Sequence, residues 1–244
     1  MKNVNVLLVE DNQINQLIAS RLLRKWGMGV TIANHGKEAL AMITCKSFQL
    51  ILMDLQMPEM DGFESTTKIR SMEDVYFKNI PILAFTTSSM VSVFDKAKQC
   101  GINDFVDKPL ASADFKNKIG KYIDLKKNTT RQSEESNKTL SIDFDVYTEG
   151  DDAFKRELVL LMLSNIYEFM QSLQKAIEYN DMGIFRKVYH KIKPTLSIID
   201  DKDFFNLIEE LKFETLPSDK RNSNISLFTK FCERIIGGLG MECR

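Results

Sequence analysis

LILMDLQMPEMDG, residues 50–62, is the stretch that decides the fold. Four apolar residues, Leu50, Ile51, Leu52 and Met53, run without a break into Asp54. An apolar run of that length suits a strand buried on both faces, as in a parallel sheet. Asp54 then stands at the carboxyl end of the strand, the edge where open α/β sheets bind ligands. Pro58 and the pair Asp61 and Gly62 mark the loop that follows. An Asp at a strand end is more often a helix cap or a turn residue. That reading yields here because other parts of the chain supply partners for Asp54.

Working outward, the first half alternates short apolar runs with amphipathic helices. Strands are expected at 5–9, 30–33, 50–54, 82–85 and 104–106. Helices are expected from about 14 to 26, 37 to 45, 63 to 72, up to Cys100 and Gly101, and 112 to 123. His35 falls in the turn Asn34-His35-Gly36 and reads as solvated. Five repeats of strand then helix imply right-handed crossovers and a parallel sheet covered by helices on both faces.

With parallel strands, Glu10, Asp11, Asp54, Thr86 and Lys108 collect on one edge, five polar residues read as standing at five strand ends. Three carboxylates gathered there repel one another and call for a cation. Mg²⁺ suits them, because it takes oxygen ligands and keeps waters that a phosphate can replace. A Lys and a Thr hydroxyl beside them suit the oxygens of a phosphoryl group.

The pieces VLLVEDN, LILMDLQMPEMDG, PILAFTT and FVDKP together resemble the response-regulator receiver domain, over about residues 3–125. The resemblance implies a five-stranded, doubly wound, flavodoxin-like sheet in the order 2-1-3-4-5. It implies that Asp54 is the phosphoacceptor. It implies that Glu10, Asp11, Asp54 and the backbone carbonyl of Gln56 hold Mg²⁺. Thr86 and Lys108 contact the phosphoryl group, and Phe105 takes the aromatic switch position. On phosphorylation Thr86 is expected to be drawn in and Phe105 to turn inward behind it. A cis peptide is expected at Lys108-Pro109, and Thr87 stands where many members carry Ala. The opening VEDNQINQ is most similar to receivers attached to hybrid histidine kinases or phosphorelays.

Composition bounds the rest. The 244 residues have room for one large or two ordinary domains. A net charge of −1 gives no support to a nucleic-acid or membrane surface. No apolar run approaches the roughly 20 residues of a membrane span, and the first residues turn acidic too early for a signal peptide. Cys45, Cys100, Cys232 and Cys243 show no CxxC spacing and read as reduced thiols of a cytoplasmic protein.

After a receiver at 1–125, the polar stretch KKNTTRQSEESNKT places a flexible linker at 126–140. Its root-mean-square reach is roughly 20 Å, which permits contact between the halves without requiring it. Residues 141–244 carry a helical pattern throughout. One stripe holds Phe154, Leu158, Met162, Ile166, Phe169, Leu173 and Ile177, and a second holds Met182, Phe185, Tyr189, Ile192, Leu196 and Ile199. Phe204, Phe205, Ile208 and Leu211 mark a third helix. Ile225, Phe228, Cys232 and Ile235 mark a fourth, closed by Gly237 and Gly238. Four such helices suggest an antiparallel bundle.

His190 lies off the apolar stripe, with Arg186 and Lys193 on its face and Lys187 and Lys191 close by. A solvated basic face is the plain reading. An exposed imidazole ringed by cations is also what a phosphoryl-accepting nucleophile needs. The segment YHKIKPTLSII resembles the histidine-containing phosphotransfer domain. The resemblance makes His190 the phosphorylated residue, Lys193 the motif Lys and Thr195 the hydroxyl residue, on a surface with Arg186 and Lys187. Pro194 departs from the usual Gly and, lacking an N–H, is expected to bend the helix after His190.

The combined expectation is a two-domain phosphorelay protein. Asp54 receives a phosphoryl group from a histidine kinase or another phosphohistidine donor, and His190 exchanges one with a partner receiver domain. No ATP-binding motif is visible, so the chain is not read as a kinase. Two alternatives stay open: a carboxyl-terminal piece of a hybrid sensor histidine kinase, and a phosphorylation-gated docking module in which His190 is silent.

Overall fold

The computed structural model describes residues 4–86, 90–108, 110, 112–123, 142–212 and 218–242. The expectations placed on Thr87, on the Lys108-Pro109 peptide, on the linker at 126–140 and on Cys243 lie outside them. The described residues form two compact units, one of residues 4–123 with Asp145–Glu149, the other of residues 142–144 and 150–242.

The first unit is a five-stranded sheet in the order β2-β1-β3-β4-β5. Its strands are β1 (Asn5–Val9), β2 (Gly29–Ala33), β3 (Leu50–Asp54), β4 (Ile82–Thr86) and β5 (Asp104–Asp107). Every pairing is parallel, with Val9 opposite Met53, Asp54 opposite Phe85 and Thr86 opposite Asp107. The central strand β3 is buried along its whole length, as its unbroken apolar run requires. Between the strands run α1 (Gln13–Lys25), α2 (Gly36–Cys45), α3 (Gly62–Ser71), α4 (Val75–Asn79), α5 (Met90–Cys100) and, last, α6 (Ser112–Gly120).

Side-chain alternation splits the sheet between two cores. Leu7, Val9, Ile51, Met53, Ile82, Ala84 and Phe105 join Ala39, Ile43, Phe63, Ile69 and Ala97 of α2, α3 and α5 in one cluster. Val6, Leu8, Leu50, Leu52, Leu83 and Phe85 are equally buried on the opposite face. Gly27, at φ 84°, closes α1 in the left-handed region where glycine has no Cβ penalty.

The short helix α4 was not legible as a periodic pattern, because it has little more than one turn. Tertiary contacts hold it. Tyr76 receives the Phe48 N–H on its hydroxyl at 2.7 Å and donates to the Phe48 carbonyl at 3.1 Å. Arg70 donates to the carbonyls of Phe77 and Gly101 at 2.6 and 3.0 Å.

The short helix α7 (Asp145–Thr148) precedes the long helices of the second half: α8 (Asp152–Glu178), α9 (Met182–Ile199), α10 (Lys202–Leu211) and α11 (Ser218–Glu242). Asp151, Asp181 and Asp201 cap α8, α9 and α10, each accepting a backbone N–H within the first turn. Asn180 and Asp200 take φ near 50° at the ends of α8 and α9. Phenylalanines join the four long helices. Phe169 stacks on Phe185 at 4.7 Å and meets Phe228 edge-on at 5.2 Å, while Phe204 lies 5.7 Å from Phe228. Helix α9 is continuous through Pro194.

Two expectations for these helices fail. Ile177 is 41 % exposed; Ala176 and Leu173 take the buried side of that turn. Gly237 and Gly238 do not end the last helix, which runs on to Glu242. Each interior Gly costs only about 1 kcal/mol, and the flanking Ile235 and Leu239 are buried and anchor the turn.

Candidate functional site

The carboxyl edge of the sheet gathers the expected residues from the ends of four strands, not five. Glu10 and Asp11 follow β1, Asp54 ends β3, Thr86 ends β4 and Lys108 follows β5. Strand β2 ends at Ala33 and sits beyond β1, away from the β1–β3 gap, so it contributes no such group.

Lys108 bridges the site. Its Nζ lies 2.5 Å from Glu10 Oε2 and 2.7 Å from Asp54 Oδ2, with the Phe85 ring 4.4 Å away. The Gln56 N–H donates to Asp54 Oδ1 at 3.1 Å. Glu10, Asp54 and Thr86 are buried, whereas Asp11 is exposed. Burial pushes the Glu10 carboxyl up to about 7, against the pull of Lys108 and with the push of Asp54. Burial alone would lower the Lys108 ammonium, but Glu10 and Asp54 together hold it above its usual range.

Ligand atoms of Glu10, Asp11 and Asp54 all lie within 4.8 Å of one another. Three carboxyl groups with one ammonium leave the partly desolvated cleft net negative. That charge, with an oxygen-only donor set and one solvent-facing member, fits a hard divalent cation such as Mg²⁺.

The loop after Asp54 is held by close approach. A Cβ on Gly62 would stand 2.2 Å from the Asp54 carbonyl oxygen and 2.9 Å from Leu55 Cα, both backbone atoms that cannot swing aside. Gly62→Ala is therefore expected to destabilise the first unit by about 1–3 kcal/mol and to displace Asp54, read as a lowered urea midpoint. An unchanged midpoint would contradict the close-packing account.

Phe105 is already inward in this structure. It is 6 % exposed and stacks on the Phe94 ring at 5.9 Å. The ring finds a partner in α5.

In the second unit His190 is exposed, as are Arg186, Lys187, Lys191 and Lys193. Lys191 pairs with Glu168 at 2.5 Å, and Arg186 donates to the Lys212 carbonyl at 3.3 Å. Next to His190, the Tyr189 hydroxyl donates to Glu209 Oε1 at 2.9 Å, and Lys212 pairs with Glu209 at 2.7 Å. Burial first, then Glu209, pushes the Tyr189 phenol up to about 12. Thr195 does not belong to the His190 surface. It is fully buried and accepts a hydrogen bond from Asn165 Nδ2 at 3.2 Å. Five residues on from His190 the helix has turned well away from the solvent face, so Thr195 serves α8–α9 packing.

Sequence reading passed over Asn15, whose amide donates to Glu10 Oε1 at 3.1 Å, and the role of Asn12 as the cap of α1. The usable signal was an Asn immediately ahead of a helical run.

A parallel sheet in the order 2-1-3-4-5 is the flavodoxin-like doubly wound fold, and its polar residues stand at the carboxyl edge where such sheets bind ligands. The first half of this chain is a response-regulator receiver domain: the family described as "Response regulator receiver domain" matches residues 6–120. It is homologous to receivers of hybrid histidine kinases. Hybrid signal transduction histidine kinase B of Dictyostelium discoideum is 41 % identical over 119 residues, 45 % of this chain and 6 % of that protein. Sensor protein EvgS of Escherichia coli (strain K12) is 22 % identical over 234 residues, 96 % of this chain and 19 % of that protein. The matched part thus spans only 6 % and 19 % of the length of these two relatives. Among solved structures, the receiver domain of a sensor histidine kinase from Pseudomonas aeruginosa PAO1, with magnesium in its active-site cleft, is 31 % identical. It covers 49 % of this chain and 97 % of its own, with a TM-score of 0.46. No helix among the described residues is long and apolar enough to cross a membrane.

Proposed function

We propose that the chain is a phosphorelay module in which the receiver accepts a phosphoryl group on Asp54 and a histidine-containing phosphotransfer domain, the four-helix second unit, carries one on His190. The observation that carries the receiver half is the placement of Asp54. One of its oxygens faces Lys108 at 2.7 Å, the other takes the Gln56 N–H at 3.1 Å, and two further carboxylates stand beside it. Glu10, Asp11, Asp54 and the Gln56 carbonyl would hold Mg²⁺, which supplies positive charge for the incoming phosphoryl oxygens.

The chain's own groups do the rest. An Asp54 carboxylate oxygen attacks the phosphorus of a phosphohistidine donor; the P–O bond forms, the P–N bond breaks, and the donor imidazole takes up a proton. Lys108 stands ready to neutralise charge on the transferred group, and the Thr86 hydroxyl would supply a further donor. On the second unit, the neutral His190 ring is the nucleophile, with Arg186, Lys187 and Lys193 as the surrounding positive field. The pairing of both units in one alignment with EvgS supports reading them as one module.

The test is phosphoryl transfer from a phosphorylated partner receiver to the chain, followed by label stability. A label on His190 survives base and is lost in acid; an acyl phosphate on Asp54 is lost in base. His190→Gln should remove the base-stable label entirely. If the parent gains none, and Pro194→Gly does, Pro194 blocks access and the second unit is a docking module with a silent histidine. A second reading, a segment of a longer hybrid sensor kinase, is favoured by relatives at least five times the length of the matched part. The genomic reading frame decides it.

A further inference from the structure

The opening VEDNQINQ holds residues that phosphoryl chemistry leaves unexplained, and three of them close around Glu10. The Asn12 side chain caps α1, accepting the N–H groups of Ile14 and Asn15 at 3.0 and 3.4 Å. This turn aims the Asn12 N–H at Glu10 Oε1, 3.0 Å away. One turn into the helix, the Asn15 amide donates to the same oxygen at 3.1 Å. Gln16 reaches back to the Glu10 carbonyl at 2.5 Å and to Asn34 Oδ1 at 3.0 Å, tying the main chain at the same residue. Glu10 is fully buried and Asn15 is 8 % exposed, so water does not replace these donors.

The two carboxylate oxygens of Glu10 are therefore sorted. Oε1 is taken by two N–H donors, and Oε2 alone faces Lys108 and the acidic cleft. We infer that Asn15 is a positioning residue: its amide locks the Glu10 carboxylate so that Oε2 is presented to the bound cation. A glutamate has three side-chain torsions to fix, and Lys108 pulls on only one end of it. Lys108 meets only Oε2, so the hydrogen bonds from Asn12 and Asn15 are what fix Oε1. Groups that orient a ligand in this way typically set metal affinity by a factor of about 10–100. The inference rests on the metal reading of the Glu10, Asp11 and Asp54 cluster.

The test is a double-mutant cycle on Mg²⁺ affinity, measured by isothermal titration calorimetry on the full chain without phosphodonor. Asn15→Leu should raise the Mg²⁺ Kd by about 10–100-fold with the circular dichroism spectrum unchanged. Asn15→Ala, which removes the amide without adding bulk, replaces it if the leucine variant does not fold. In a Glu10→Gln background the same change at Asn15 should alter the Kd by less than about twofold, since a residue acting through Glu10 shows strong non-additivity. A parent-like Kd in Asn15→Leu, or the full loss repeated in the Glu10→Gln background, overturns the inference while leaving the metal site standing. A parent protein that binds no Mg²⁺ overturns the metal reading and the inference together.

Discussion

Asp54→Asn is expected to lose labelling by a small-molecule phosphodonor by a factor on the order of 10³ or more, the scale on which removal of a nucleophile acts. The substitution keeps size and shape and removes the charged oxygen that would form the bond to phosphorus. Chelation of divalent cations should bring the parent to the same background. The reason is electrostatic: Glu10, Asp11 and Asp54 gather within 4.8 Å with Lys108 as their buried counter-charge, and an anionic donor is repelled until a cation is added. Mass spectrometry of labelled peptides reads the site. Equal labelling of Asp54→Asn and parent, or indifference to chelator, would end the phosphoacceptor assignment.

Phe169→Ala is expected to destabilise the helical unit by about 3–5 kcal/mol, the usual cost of truncating a fully buried Phe. Phe169 is 0 % exposed and touches rings from α9 and α11. Its loss leaves a cavity at the point where three helices meet, and stacked or edge-on aromatic pairs add about 0.5–1.5 kcal/mol each beyond area. Against a typical domain stability of about 5–15 kcal/mol, this removes much of the margin. Helical circular dichroism in urea measures it. A midpoint within error of the parent would show that the phenylalanine cluster is not the core of this unit.

Most of the receiver was legible in the chain itself. Apolar runs of four or five residues ending in Asp54, Glu10 or Thr86, each followed by an amphipathic helix, admit few topologies other than a parallel sheet with its polar residues on one edge. The helical second half was legible for the same reason: Phe154, Leu158, Met162, Ile166 and Phe169 recur at helical spacing and are buried. Periodicity reports which face is apolar, and burial follows from that.

Tertiary structure decided what periodicity does not encode. Ile177 continues the four-residue spacing of α8 yet is exposed, because each such step drifts about 40° around the helix and Leu173 and Ala176 take the buried side of that turn. Thr195 was placed beside His190 by motif and stands in the core against Asn165, because helical rotation outweighs nearness in sequence. Gly237 and Gly238 stay helical since Ile235 and Leu239 are packed on either side. Phe105 is inward because Phe94, eleven residues earlier and on another element, offers it a stacking partner. Above all, the charge balance at Glu10 was invisible in one dimension. Lys108 is ninety-eight residues away along the chain and 2.5 Å away in space. What the sequence by itself determined is which residues form each element and which sheet edge carries the polar groups, since both follow from local spacing. Which oxygen of Glu10 is bound, and by what, depends on side chains that only the closed sheet brings within hydrogen-bond distance.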